Sequence, residues 1–279
     1  MLTTELAYWI NERYAMKTRR ETHEKPIYKH GWSDDPAMGE VRYCNVHRED
    51  DAVTKWLAVN WRPKHHAVWE IVLARMLNYI PTLEAILHEG GPLGIPPLSV
   101  VGAALKSLRS AGEKVFTSAY TISTCGQSMD KIDYVMGVVG QAKQMWPGKH
   151  WNDHMYTGDT LESAHHDLMC VNGLGSFLAA QVVADLKNTR GHPLEKAVDW
   201  HTWAAPGPGS LRGLAAFYGR PIAPSQFTKA INECWAATKP FISPWVPPIH
   251  MQDFQNCLCE FSKYEKFKVG GHVRNHYRV

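Results

Sequence analysis

The sequence has no CxxC pair, little net charge and no long apolar run, and each absence closes a class of function. Its six cysteines, at 44, 125, 170, 234, 257 and 259, are scattered. Neither a disulfide framework nor a structural zinc site is indicated, and reduced thiols are expected. The formal charge of +3 is too small for a protein that holds nucleic acid by bulk electrostatics, so any DNA contact must be local. No run of about 18 apolar residues occurs. The amino-terminal stretch "MLTTELAYWINERYAMKTRRE" carries Glu, Asn and Arg through its apolar positions, unlike a signal peptide. A cytoplasmic protein with no membrane partner is expected. There is no Walker loop and no dinucleotide fingerprint. One strand-like stretch, "KVFTSAYTIST" at 114–124, cannot build a sheet and is expected to be a loop or short hairpin.

What is present is helical periodicity. Apolar residues recur at helical spacing over residues 4–20, about 50–61, 64–80, 98–110, 129–145 and 160–170. Further helices are expected at about 224–238 and 250–267. "AVWEIVLARMLNYI", apolar nearly all round and followed by Pro81, suits the central helix of a bundle. "KPFISPWVPPIH" at 239–250 should cross in extended form, because its four prolines remove donors and restrict their neighbours. With no repeat and no linker, residues 1–279 are read as one mostly α domain with two lobes.

The stretch "MCVNGLGSFLAAQVVADL", 169–186, interrupts an apolar helix with Asn172, Gly173 and Gly175 and then resumes it. Helix, glycine turn and helix make a helix-hairpin-helix pattern at about 160–189. Glycine permits positive φ and close approach. The main-chain donors of Asn172, Gly173, Gly175 and Ser176 at a helix start would suit a DNA phosphate, so that backbone N–H groups do the work of lysines. An ordinary glycine-capped turn has the same sequence.

Asp199 follows in "AVDWHTWA". Hairpin and acid together resemble the helix-hairpin-helix DNA glycosylase superfamily, which implies a two-lobed helical fold and a catalytic role for Asp199. Phe177 stands where lyase members carry a Schiff-base lysine, and the four-cysteine cluster of many members is absent.

Three more stretches, "YCNVHREDDAVTKWLAVNWR", "DWHTWAAPGPGSLRGL" and "MQDFQNCLCEFSKYEKF", resemble the bacteriophage α-glutamyl/putrescinyl thymine pyrophosphorylases, or amino acid:DNA transferases. The resemblance spans residues 42–267. It implies that an amine displaces pyrophosphate from 5-pyrophosphoryloxymethyl-uracil in double-stranded DNA, giving a hypermodified thymine. Such chemistry needs cations for pyrophosphate, a base for the ammonium and a pocket for an unstacked base.

Candidate residues follow. Asn45, Arg48, Asp51 and Thr54 recur at steps of three and Arg62 lies beyond; on a helix they share one polar face, which is otherwise a solvated stripe. Under the resemblance Arg48 clamps pyrophosphate, and Asp51 orients it or holds the amine. Gly207, Gly209 and Ser210 offer donors where another helix begins, with Arg212 in its first turn. Asp199 is the preferred base, and His201 competes because an imidazole titrates near neutrality. Asn256 and Glu260 are assigned to the amine or the thymine edge and Lys263 to a phosphate; the same face is otherwise a salt-bridged exterior. His150, Asp153 and His154, and His165, His166 and Asp167, lack a matching third-ligand motif, so no metal site is assigned. No cofactor is required, although Mg²⁺ accompanying pyrophosphate is compatible. Glycine is the favoured amine, since Tyr120, Phe177, Trp200 and Trp203 would crowd a small pocket. The alternatives are a monofunctional glycosylase and a non-catalytic DNA-binding protein.

Overall fold

The computed structural model describes residues 2–117, 122–124, 126–147 and 159–273. Within them the chain is helical, with no strand and one isolated bridge between Tyr28 and Gly31. The helices are α1 (Leu2–Thr22), α2 (Pro36–Glu40), α3 (Ala52–Trp56), α4 (Val68–Leu77), α5 (Ile80–Gly90), α6 (Leu98–Ser110), α7 (Lys131–Met145), α8 (Leu161–Met169), α9 (Ser176–Lys187), α10 (Pro208–Tyr218), α11 (Phe227–Thr238) and α12 (Met251–Lys268). The mostly α expectation holds. None of these helices is long and apolar enough to cross a membrane. The parts of the strand-like stretch at 114–117 and 122–124 form no strand, while its residues 118–121, including Tyr120, lie outside the described residues.

Local chemistry explains several boundaries. Asp35 accepts the Ala37 N–H at 2.8 Å and the Met38 N–H at 3.3 Å, with Pro36 behind it, and so starts α2. Asp130 caps α7 through the Ile132 N–H at 2.8 Å, and Thr160 caps α8 through the Ser163 N–H at 3.0 Å. The helix expected over 64–80 is shorter and a second one follows it. Asn78, at φ 46°, ends α4 in a left-handed turn. Pro81 then sits in the first turn of α5, where its missing N–H costs nothing.

Two compact units make up the chain, Met1–Asp51 with His201–Val279, and Ala52–Trp200. In the first, α1, α10, α11 and α12 close over Trp9, Ile10, Phe227, Ile231, Phe254, Leu258 and Phe261, all essentially inaccessible. The packing of α10 on α12 is close because two α10 positions are glycine. A Cβ at Gly213 would lie 2.7 Å from the Leu258 carbonyl, and one at Gly209 would overlap the Cys259 side chain.

In the second unit α4 is central. All of its residues are buried, as its all-round apolar sequence predicts, and it packs on α7 and α9. Arg75 of α4 and Asp185 of α9 form a two-pronged ion pair there, with Arg75 Nη2 2.6 Å from Asp185 Oδ1. Arg75 also donates to Thr54 Oγ1 at 3.0 Å and to Asn78 Oδ1 at 3.1 Å. Arg62 joins this network at 3.7 Å from the same carboxylate.

Candidate functional site

The last helix organises the site. Asp253, Asn256, Cys257 and Glu260 lie on one face of α12 at helical spacing. That face was expected to meet solvent or substrate; instead it meets the extended main chain of residues 44–48. Asp253 accepts the Arg48 N–H at 2.9 Å and the N–H of His250, the helix N-cap, at 3.3 Å. Asn256 donates to the Asn45 carbonyl at 3.2 Å, and the Cys257 thiol approaches the Val46 carbonyl at 3.8 Å. Glu260 accepts the Cys44 N–H at 3.0 Å. From α1, the buried Arg13 donates to the carbonyls of Tyr43 at 3.2 Å and Cys44 at 2.9 Å, and to Asn45 Oδ1 at 2.6 Å. Side chains of two helices thus supply the hydrogen bonds that a sheet would otherwise give an extended segment.

The clamped segment presents the residues that follow it. Arg48 opens a short 3₁₀ turn, Arg48–Asp50, and the exposed Asp51 closes it. The Asp50 carbonyl is held by Asn45 Nδ2 at 2.9 Å, and its carboxylate by Lys17 at 2.9 Å. The shared polar helix face expected for residues 45–62 is therefore not formed. Asn45 is in the extended segment, Arg48 and Asp51 bracket the turn, Thr54 is buried in α3, and Arg62 is buried beside Asp185 in the other unit.

Charge gathers around this segment. Lys263 lies 2.5 Å from Glu260; burial works against its protonation, but the adjacent carboxylate outweighs it and raises the Lys263 pKa. Although Cys44 is exposed as a residue, its thiol is turned inward. Burial, together with the neighbouring Glu260, pushes that thiol up to about 12, and Asp51 acts in the same direction. Burial also raises the Cys259 thiol, which feels the opposing charges of Lys263 and Arg212. Neither thiol is a thiolate nucleophile near neutrality. Arg212 is exposed on α10. Ser210 is not: its hydroxyl accepts the Gly207 N–H at 3.1 Å and Gln255 Nε2 at 3.1 Å beneath the start of α10. His201 stands at the start of α12, where its carbonyl accepts the Met251 N–H at 3.1 Å and its ring meets that of His250 with the Nδ1 atoms 3.3 Å apart.

The glycine-turn residues lie in the other unit, with Asp199. Between α8 and α9 the chain turns through Gly173 at φ 94°, and a Cβ there would fall 2.5 Å from the Tyr134 hydroxyl and 2.7 Å from Val138. The Asn172 N–H donates to Gln141 Oε1 at 3.2 Å, so this expected phosphate donor is engaged within the chain. Ser176 is tied through its carbonyl and hydroxyl to His165 Nε2, at 3.0 and 3.1 Å. Gly175 faces open space. Asp199 accepts the Leu161 N–H at 2.7 Å and the Glu162 N–H at 3.1 Å, binding the start of α8.

The chain thus brings Asn45, Arg48, Asp51, His201, Ser210, Arg212, Asn256, Glu260 and Lys263 into one unit, and Arg62, Asp199 and the glycine turn into the other. Sequence reasoning missed Arg13, whose signal was a charged residue in the apolar run of α1, and placed Asp253 on the polar face of the last helix without giving it a role. Among the described residues no group of three or more His, Cys, Asp or Glu is placed to hold a metal ion, and His150, Asp153 and His154 lie outside them.

Among the described residues, a helical chain holding the extended segment 44–48, which ends in Arg48, against its last helix is what the structure defines. Residues 1–273 match the family described as 5-hmdU DNA kinase, helical domain, and the chain belongs to that family. No curated protein and no solved structure matches it.

Proposed function

We propose that the protein acts on DNA bearing a 5-hydroxymethyl-uracil derivative and replaces the pyrophosphate of 5-pyrophosphoryloxymethyl-uracil by an amine, glycine first among them. The family's description names the deoxynucleoside of the same base. The observation that carries the reading is the clamp on residues 44–48, which sets Arg48 and Asp51 on a fixed turn in the unit that also carries Arg212 and Lys263.

In this reading Arg48, Arg212 and Lys263 take the charge of the departing pyrophosphate. The amine lone pair forms the C–N bond to the methylene carbon as the C–O bond breaks, and pyrophosphate leaves with the electron pair. The ammonium proton passes to Asp51, the most accessible acid of the segment, with His201 the competing acceptor. Asn256 and Glu260 are positioning residues, because their polar atoms hold the segment. Asp199 is assigned to holding the start of α8, where each of its carboxylate oxygens accepts an N–H bond. The α8–α9 turn is assigned to the DNA backbone through the main chain of Gly175 and Ser176, as the helix-hairpin-helix of a two-lobed glycosylase-like fold would require.

A second reading is favoured by the family's name, namely phosphoryl transfer to the 5-hydroxymethyl group. The sequence has no Walker loop to hold a nucleoside triphosphate. The two are separated by assaying pyrophosphate release from DNA with the pyrophosphorylated base and a panel of amines, beside phosphate incorporation into 5-hydroxymethyl-uracil DNA with ATP. Amine-dependent pyrophosphate release is expected. Incorporation from ATP without such release would replace the first reading by the second, and an abasic site would return the chain to the glycosylases.

A further inference from the structure

The proline-rich crossing segment has no part in the chemistry above, yet it holds a tryptophan face to solvent. Trp245 is 51% exposed. Its neighbour Val246 is buried and donates its N–H to the Ser243 carbonyl at 3.0 Å, while Pro244, Pro247 and Pro248 restrict the chain on both sides. Asn11 of α1 fastens the same segment, accepting the Ser243 N–H at 2.9 Å and donating to the Phe241 carbonyl at 3.1 Å. A large aromatic side chain is thus displayed on a backbone that has little freedom left to lose on binding.

Trp245 does not stand alone. The Tyr14 ring lies 5.6 Å from it at an interplanar angle of 45°, and the His47 ring meets the edge of Tyr14 at 5.6 Å. The Lys17 ammonium is 5.3 Å from the Tyr14 centroid, and His47 Nε2 is 3.2 Å from the Pro247 carbonyl, so the patch has a polar rim. It is continuous with the candidate site. Lys17 and Asn45 are both bonded to Asp50, and His47 directly precedes Arg48.

We infer that Trp245, backed by Tyr14 and rimmed by His47 and Lys17, is a stacking platform for an unpaired base of the DNA strand. An aromatic face of one or two rings with polar edges suits a planar base, whose π-face stacks whatever its sequence. Chemistry on a 5-substituent of a base in duplex DNA is helped by taking that base, or its neighbour, out of the stack. A fixed indole beside the reactive segment would receive it.

The inference rests on the proposed action on DNA, and the test separates the two. Fluorescence anisotropy is measured on unmodified duplexes at one salt concentration: one fully paired, one with a single bulged thymine, and one with an abasic site in place of that thymine. Wild-type protein is expected to bind the bulged thymine about tenfold or more tighter than the other two. Trp245→Ala should bring the three to parity without weakening the paired duplex, and Trp245→Phe should keep most of the preference. Equal binding of all three by wild-type protein, or a preference unchanged in Trp245→Ala, would overturn the platform while leaving DNA binding intact. Failure to bind any duplex would overturn the DNA reading and the platform with it.

Discussion

The Glu260 carboxylate and the Cys44 N–H, 216 positions apart in the chain, are joined by a 3.0 Å hydrogen bond that fixes the segment leading to Arg48 and Asp51. Glu260 is also the counter-charge of Lys263. Removing its side chain deprives both groups of their partner. Glu260→Ala should cost roughly 2–4 kcal/mol of unfolding free energy, and Glu260→Gln, which keeps an acceptor for Cys44, distinctly less. Urea unfolding of the two variants beside wild type measures the difference.

Arg48 contributes to the clamp through its main chain and to the proposed chemistry through its guanidinium. The two roles can be parted. Arg48→Ala leaves the N–H to Asp253 in place, although it removes the ion pair with Glu49 at 3.8 Å, and should lower the rate of pyrophosphate release about a hundredfold, far more than any accompanying loss of stability explains. Arg48→Lys should recover part of the rate, since a point charge replaces a bidentate fork. Single-turnover kinetics and thermal melts on the same preparations check both.

Two glycines of one turn should respond in opposite ways. Gly173 combines φ 94° with no room for a Cβ, so Gly173→Ala should destabilise its unit by roughly 1–3 kcal/mol. Gly175 has φ −72° and open space, so Gly175→Ala should stay within about 0.5 kcal/mol of wild type. If the turn receives a phosphate, the same Gly175→Ala should weaken DNA binding several-fold, because its methyl occupies the approach. Unfolding curves and duplex anisotropy on the two variants test the contrast.

Stability should fall in mildly acidic solution. Burial, with a contribution from His66, lowers His192 to about 3, and burial lowers His165 too. Neutral His192 accepts the Leu194 N–H at 3.2 Å through Nδ1. A histidine in the unfolded chain titrates near 6.5. The folded state therefore binds fewer protons, and these groups contribute stability above about pH 6.5 that is lost as pH falls toward 3 for His192. For His192 the slope approaches roughly 1.4 kcal/mol per pH unit. His192→Asn should flatten the profile between about pH 6.5 and 5, above the range where most carboxylates titrate; denaturant midpoints across that interval provide the measurement.

The buried Asp185 compensates Arg75 and Arg62 together. Asp185→Ala should cost about 3–5 kcal/mol, because it strands two buried cations, whereas a well-packed apolar replacement of the whole group would cost less. The variant is checked by its denaturation midpoint.

The helices were largely legible in the sequence, and the site less so. Residues 98–110 and the helices near 131–145, 161–169 and 251–268 follow apolar periodicity with clear starts and stops. The start of α5 was hidden because Pro81 reads equally as the end of one helix or the first turn of the next. Arg62 and Glu260 show the deeper difficulty. Both are polar residues at helical spacing, which a pattern alone places outside, yet both are buried. The partner of Arg62 is 123 positions away in the sequence, and one partner of Glu260 is a main-chain N–H that carries no sequence signal. Asn45, Arg48 and Asp51 were singled out together and do lie together, though on an extended segment and a short turn and not on a helix face.

The most direct test of the central claim is the mass of the nucleosides recovered from DNA bearing the pyrophosphorylated base after incubation with the full chain and a pool of amines. The expected result is a new nucleoside in which one amine has replaced pyrophosphate, with glycine the first candidate, and its loss in Arg48→Ala. A free base with an abasic site, or the starting nucleoside recovered unchanged with every amine, would contradict it.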